Sequence, residues 1–155
     1  MLPSPHVLFR RLAVAEAVTW ALLLTGMFVK YVVGATELGV QVAGPLHGIA
    51  FVAYCVGVLA VAHDQRWRAR TTLLALASAV PPFMTVWFER RAGRRGLLAD
   101  TWRLGPAGES PRTAPERLHA WMLRRPGLAV AIGLAVVALL TGAALLAGPP
   151  VPSPS

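Results

Sequence analysis

Thr71 to Phe88 reads TTLLALASAVPPFMTVWF, an uncharged stretch with two consecutive prolines in it. Its length is barely that of a membrane crossing, since a helix needs roughly 20 mostly apolar residues to span the hydrocarbon of a bilayer. Pro81 and Pro82 have no backbone N–H, so the helical ladder loses two donors and a kink or break is expected there. Whether this stretch crosses or turns back decides how every other segment is arranged.

The surrounding sequence identifies the solvent. The chain has 155 residues, 55% hydrophobic and 14% charged, and a mean hydropathy of +0.57. One soluble domain of that length cannot hide so much apolar surface, and exposed patches above roughly a few hundred Å² mark a membrane or a partner. Three further stretches are comparably apolar. Leu12–Val33 is interrupted by Glu16 and Lys30, Pro45–Ala62 is uncharged with Pro45 suited to a first helical position, and Leu128–Ala147 carries no charge at all. The expected fold is therefore all-α, a small polytopic transmembrane helix bundle. Residues 1–90 form a three-segment membrane domain, 91–127 a basic linker with short amphipathic helices, 128–148 an additional transmembrane helix and 149–155 a disordered tail. Arg10 and Arg11 ahead of an apolar run also fit a signal peptide, but Glu16 interrupts the run and no small-residue cleavage site follows.

Orientation follows from where the bases fall, because cytoplasmic flanks collect Lys and Arg. Arg10 and Arg11 place the N-terminus inside. Gly34–Gly44, with Glu37 and no base, reads as an outer loop, and Arg66, Arg68 and Arg70 bring the chain back inside. Nine arginines then lie between Arg90 and Gly127 against Asp100, Glu109 and Glu116. If Thr71–Phe88 crosses, alternation sends this basic segment outside, against the rule. A re-entrant hairpin at Pro81-Pro82 removes the conflict by keeping both ends inside. The plain four-span arrangement is favoured all the same, because long loops weigh less in the rule and three partner helices are few to satisfy a re-entrant backbone.

Within the basic segment, Leu97, Leu98, Thr101, Trp102 and Leu104 share one helical face, and Leu118, Trp121, Met122 and Arg125 share another. Such helices lie in the headgroup plane, with Arg90, Arg91, Arg94, Arg95, Arg124 and Arg125 meeting anionic lipid. The high isoelectric point does not indicate nucleic acid, because the charge sits beside apolar spans without a nucleic-acid fold signature.

Ionisable groups inside the spans call for a reason, since each costs about 2.5 to 3.5 kcal/mol at a helix centre. Glu16 and Lys30 lie about 21 Å apart along a helix, cannot pair, and read first as anchors of helix depth. His47, Phe51 and Tyr54 recur at i, i+4 and i+7 and form a face for interhelical packing. If Thr71–Phe88 spans, Lys30, His47 and Glu89 form one polar cluster at the outer leaflet. If it turns back, Glu89 joins Glu16 at the inner side. Cys55 reads as a small apolar filler, and no metal-ligand spacing or cofactor motif is present.

The order Phe9-Arg10-Arg11-Leu12-Ala13-Val14-Ala15-Glu16, Val29-Lys30-Tyr31, Pro45-Leu46-His47-Gly48 with Phe51 and Tyr54, then Val80-Pro81-Pro82-Phe83-Met84-Thr85 and Phe88-Glu89-Arg90 resembles the YdzA-like family of small bacterial integral membrane proteins, a domain of unknown function. The resemblance covers residues 9–90 and implies a three-helix membrane protein without an assigned activity. It departs at Met84, where the pattern has Gly, and it leaves Leu128–Ala147 as an appended span. Arginine outnumbers lysine 14 to 1, as in a GC-rich bacterial genome, so the expected location is a bacterial plasma membrane crossed several times.

Three classes of function are weighed. The favoured one is a structural or accessory protein that packs with partner helices or lipids, using Gly44-xxx-Gly48, Ala129-xxx-Gly133 and Ala138-xxx-Gly142. A small oligomeric transporter or proton-coupled carrier would use Glu16, His47 and Glu89, with the Pro81-Pro82 break facing a ligand. A membrane enzyme is least favoured, for want of a nucleophile, metal set or cofactor motif. The expected partners are the bilayer, anionic lipids, and a second copy or another membrane protein; no cofactor, metal or nucleic acid is expected.

Overall fold

The computed structural model describes residues 3–147, so the tail expected over 149–155 lies outside the described residues. Ser4 opens the first helix. Its side-chain oxygen accepts the Val7 amide at 3.3 Å, and Pro5 fills the first helical position, where an N–H has no partner to lose. Helix α1 runs Pro5–Phe28 and passes into a π-helical turn, Val29–Val33, which ends on Gly34 in the left-handed conformation (φ 69°). The chain then reverses as α2, Leu38–Asp64.

Pro45 was expected to start this helix and instead lies inside it. The cause is at Gly26 and Gly39. A Cβ on Gly26 would stand 2.7 Å from the Gly39 carbonyl carbon, and one on Gly39 would stand 2.9 Å from the Gly26 Cα. Two glycines let the backbones of α1 and α2 touch, and this contact holds the first turns of α2 against α1 ahead of Pro45.

The all-α bundle is as expected, but Thr71–Phe88 is not one crossing helix, as the favoured four-span arrangement required. Helix α3 covers Ala69–Ala77, α4 covers Met84–Arg94, and residues 78–83 between them reverse the chain. The Met84 amide donates to the Pro81 carbonyl at 3.3 Å, and Phe83 has φ 65° and ψ −1°. Those angles belong to the third residue of a type II turn, with Pro82 in the second place, where its fixed φ fits. Phe in this left-handed position costs about 1–2 kcal/mol relative to ordinary backbone.

Contacts of the two limbs show the direction of the hairpin. Tyr54 Oη donates to the Ala75 carbonyl (3.2 Å), and Trp20 Nε1 donates to the Ala79 carbonyl at the turn (3.4 Å). On the returning limb Thr85 Oγ1 lies 3.1 Å from the Ala13 carbonyl oxygen, and Glu89 stands 3.5 Å from His6. The partners on α1 fall from 20 to 13 to 6 as the chain advances from 79 to 85 to 89, so α4 returns to the end where α1 began. Side chains of α1 and α2 supply the backbone partners that a broken helix needs, which answers the objection that three helices are too few.

The core sits at that same end. Phe9 is fully buried, with its ring centroid 5.6 Å from Tyr54, 5.7 Å from Trp67 and 6.0 Å from Phe88. The first two pairs are edge-to-face, the favourable arrangement for aromatic quadrupoles.

Beyond α4 the amphipathic helix expected from Leu97 to Leu104 does not form. Buried Asp64, at the end of α2, accepts the amides of Arg103 (2.9 Å) and Leu104 (3.1 Å), and Trp67 Nε1 donates to the Leu97 carbonyl (2.9 Å). These partners take the backbone groups a helix would use, and Leu98 and Leu104 are buried as a result. The segment is docked rather than a free linker. Its second expected face is helical: α5, Ala114–Arg124, capped by the Thr113 side chain, leaves Leu118 and Trp121 exposed. Helix α6, Pro126–Ala147, packs along α2 and turns Leu134, Leu139 and Leu146 outward.

Candidate functional site

Glu16 is completely buried where α1 meets α4. Thr85 Oγ1 lies 2.7 Å from Glu16 Oε2 and 3.1 Å from the Ala13 carbonyl oxygen. A threonine hydroxyl has one proton for these two acceptors, so both contacts are hydrogen bonds only when Glu16 brings a proton of its own. Glu16 Oε1 has no partner among the described residues. A buried carboxyl with an idle oxygen is the kind of group for which a functional account is sought.

The other expected site residues, Tyr54, His47, Lys30 and Glu89, fall in four separate places. Tyr54 Oη lies 3.1 Å from Ser78 Oγ, and Ser78 donates in turn to the Ala75 carbonyl at 2.6 Å, so this pair ties α2 to the end of α3. His47 is no longer in a first turn but well inside α2. Thr19 Oγ1 gives its proton to the Glu16 carbonyl (2.9 Å), which makes His47 Nδ1 the donor to Thr19 Oγ1 at 3.2 Å, and the His47 ring lies 4.4 Å from Trp20. Lys30 pairs with Glu37 at 3.1 Å.

Glu89 is at the opposite end of α1 from Lys30, 3.5 Å from His6 Nε2, while His6 Nδ1 faces Asp100 at 3.4 Å. The cluster of Lys30, His47 and Glu89 is therefore not formed, because the hairpin takes Glu89 back to the start of α1. Glu16 meets Thr85, one helical turn before Glu89 on α4, while Glu89 itself faces His6. Reading the sequence did not pick out Thr85, Ser78, His6 or Asp64. The i, i+4 spacing of Thr85 and Glu89 was visible, but their register against α1 depends on the turn.

A second polar network closes the same end of the bundle. Glu116 Oε2 accepts the Arg112 amide (2.8 Å), and Glu116 Oε1 accepts Arg103 Nη2 (3.0 Å) and Arg66 Nη2 (3.4 Å). The Arg112 amide, ahead of the two guanidinium groups, holds the Glu116 carboxyl down at about 2 against the opposing effect of burial. His119 stands 4.0 Å from Asp64, and burial pushes its imidazole below the ordinary range, with the Asp64 carboxylate opposing that shift.

The arginines expected to meet headgroups, Arg90, Arg91, Arg94, Arg95, Arg124 and Arg125, are all exposed. Two of them lie over indole rings, Arg91 over Trp87 and Arg125 over Trp121, each at 5.4 Å. No group of three or more His, Cys, Asp or Glu suited to a metal occurs among the described residues.

Residues 6–94 match the family described as Domain of unknown function (DUF3817). The chain belongs to that family. The match ends with α4, so α1, α2 and the α3–α4 hairpin make up the family portion, while the docked loop, α5 and α6 lie beyond it. This agrees with the resemblance read over residues 9–90. A protein of Streptomyces coelicolor named "Putative membrane protein" is 52% identical over 91 residues, 58% of this chain and 11% of that protein. The match thus spans about a tenth of the length of that relative. No solved structure matches the chain. Among the described residues three helices, Pro5–Val33, Leu38–Asp64 and Pro126–Ala143, are long and apolar enough to cross a bilayer, and the chain is a membrane protein.

Proposed function

We propose that the protein is a multi-pass accessory component of a bacterial plasma membrane, in which α1, α2 and α6 cross and the α3–α4 hairpin enters and leaves on the cytoplasmic side. The observation that carries this reading is that the arginines gather at one end of the bundle. Arg66 and Arg103 converge on Glu116, Arg103 is bound at the end of α2, and Arg90 to Arg95 follow Glu89 beside the start of α1. Lys30 alone marks the other end. With the hairpin returning, the charge rule is satisfied without exception.

The accessory role follows from what is left over. A Cβ on Gly44, Gly48, Gly133 or Gly142 would meet nothing within 4 Å, so the small-residue motifs are not consumed by packing inside the chain and stand free for other helices or lipid. Single cysteines at Thr36, Ala69, Phe83, Gly93 and Gly108, placed in a Cys55→Ser background, test the topology in intact cells. Thr36 is expected to react with an impermeant maleimide added outside and the other four to be protected; external labelling of Gly108 would overturn the arrangement.

The unpartnered oxygen of Glu16 favours one second reading, a proton-coupled carrier with Glu16, Thr85 and Glu89 in line along the α1–α4 contact. Proton flux into vesicles that is abolished by Glu16→Gln would establish it in place of the accessory role.

A further inference from the structure

The α3–α4 hairpin has another face, around α4 from Thr85 and Glu89. A groove runs between the two limbs there, with Leu74 and Ala77 on α3, Met84, Trp87 and Phe88 on α4, and Pro81 at its closed end. Leu74, Met84 and Trp87 are 55%, 37% and 49% exposed, so the chain itself leaves the groove open. Met84, Trp87 and Arg91 form one stripe along α4, and Arg95 extends it at the residue that caps the helix. Its character changes along the way, apolar beside the turn and basic where α3 begins and α4 ends. Arg91 and Arg95 line the mouth of the same groove, and neither has a carboxylate within ion-pair reach among the described residues. Met84 to Arg95 measures about 16 Å along the helix. The groove thus runs from an apolar interior to a cationic rim, with the polarity and direction of a single lipid molecule standing in the cytoplasmic leaflet.

We infer that this groove binds an anionic phospholipid, with one acyl chain between α3 and α4 and the phosphate at Arg91 and Arg95. The inference rests on the re-entrant reading and adds a lipid preference to it. Apolar walls accept the tail of any phospholipid, so discrimination comes from the two guanidinium groups. Each base near an anionic headgroup is worth about a fivefold change in affinity, and the pair on the order of thirtyfold. An Arg stacked on a Trp is held in place at the interface, so less freedom is lost on binding.

Trp87 reports on the site. The full chain is reconstituted in vesicles containing phosphatidylglycerol or phosphatidylcholine with brominated acyl chains, and quenching that is lost in Trp87→Phe is assigned to Trp87. Brominated phosphatidylglycerol is expected to reach half-maximal quenching at about one-thirtieth the mole fraction of brominated phosphatidylcholine. Arg91→Gln with Arg95→Gln should erase the preference, and Lys at both positions should retain most of it. Ala77→Phe, which fills the groove and leaves both arginines, should remove the saturable quenching. Equal quenching by the two lipids, a preference that survives the double Gln variant, or its loss on adding excess inorganic phosphate would each overturn the assignment. Failure of the re-entrant reading appears separately, as external labelling of cysteine at Gly93 and Gly108.

Discussion

The two ends of the α1–α2 pair are held by different forces. At the arginine-rich end, Phe9, Tyr54, Trp67 and Phe88 interlock, and buried Asp64 and Glu116 bind the following loop through backbone amides and guanidinium groups. At the other end the helices meet through bare backbone at Gly26 and Gly39, and large apolar side chains such as Tyr31, Val32 and Leu38 face outward at 65–70% exposure. The first end is built like the core of a soluble protein and the second like a pair of helices in lipid. Burial inside the chain is therefore concentrated where the hairpin covers α1 and α2, and elsewhere the bilayer is left to cover the apolar faces.

The largest difference between the two ends is expected at Phe9. Phe9→Ala removes the ring shared by three aromatic neighbours, and loss of a buried Phe costs about 3–5 kcal/mol. Leu139→Ala on α6, 71% exposed, should fall within about 0.5 kcal/mol of the parent, as surface changes do. Thermal unfolding in detergent micelles measures both, and equal losses would refute the contrast between the ends.

A smaller effect is expected at the glycine contact. Gly26→Leu must push α1 away from the start of α2, and overpacking of this kind costs about 1–3 kcal/mol. Crosslinking between cysteines at Gly34 and Leu38 should report the separation, while the ring contacts of Phe9 stay in place.

The smallest effects are local and depend on pH. Glu116 has its folded value depressed, so its contribution to docking of the 95–113 loop is fully present above the ordinary carboxylate value of 4.5 and is lost as pH falls from there toward about 2. His119 is also depressed, so its contribution is present above 6.5 and weakens as pH falls through its lower folded value. The protection of the Arg103, Leu104 and Arg112 amides against hydrogen exchange, corrected for the intrinsic fall of the exchange rate with pH, should therefore drop in two steps on acidification, with the protection of the core amides of α1 unchanged between them. A single global transition would show that the loop and the core are one unit.

Much of the candidate site was legible residue by residue and little of it was legible as a site. Glu16, His47, Tyr54 and Glu89 stand out because charge and polarity in an apolar run demand a partner, and all four do lie buried or half-buried. Their partners were not legible. Thr and Ser such as Thr85, Ser78 and Thr19 are common in apolar stretches, and nothing next to Asp64 in the sequence shows that the amides of Arg103 and Leu104 will reach it.

The solvent, the helical class, the break at Pro81-Pro82 and the family can be read from the chain alone, because apolar length, missing amide protons and residue order are local properties that no neighbour can change. Packing of the helices makes the break a reversal, returns Glu89 to His6 instead of Lys30, starts α2 ahead of Pro45, and docks residues 97–104 as a loop. Each of these depends on partners far apart in the chain: indole and hydroxyl groups on α1 and α2 that take up carbonyls freed at the turn, two glycines that touch, and a buried aspartate that binds amides forty residues away. A backbone group goes wherever its hydrogen bond is satisfied, and that is settled only when the helices have come together.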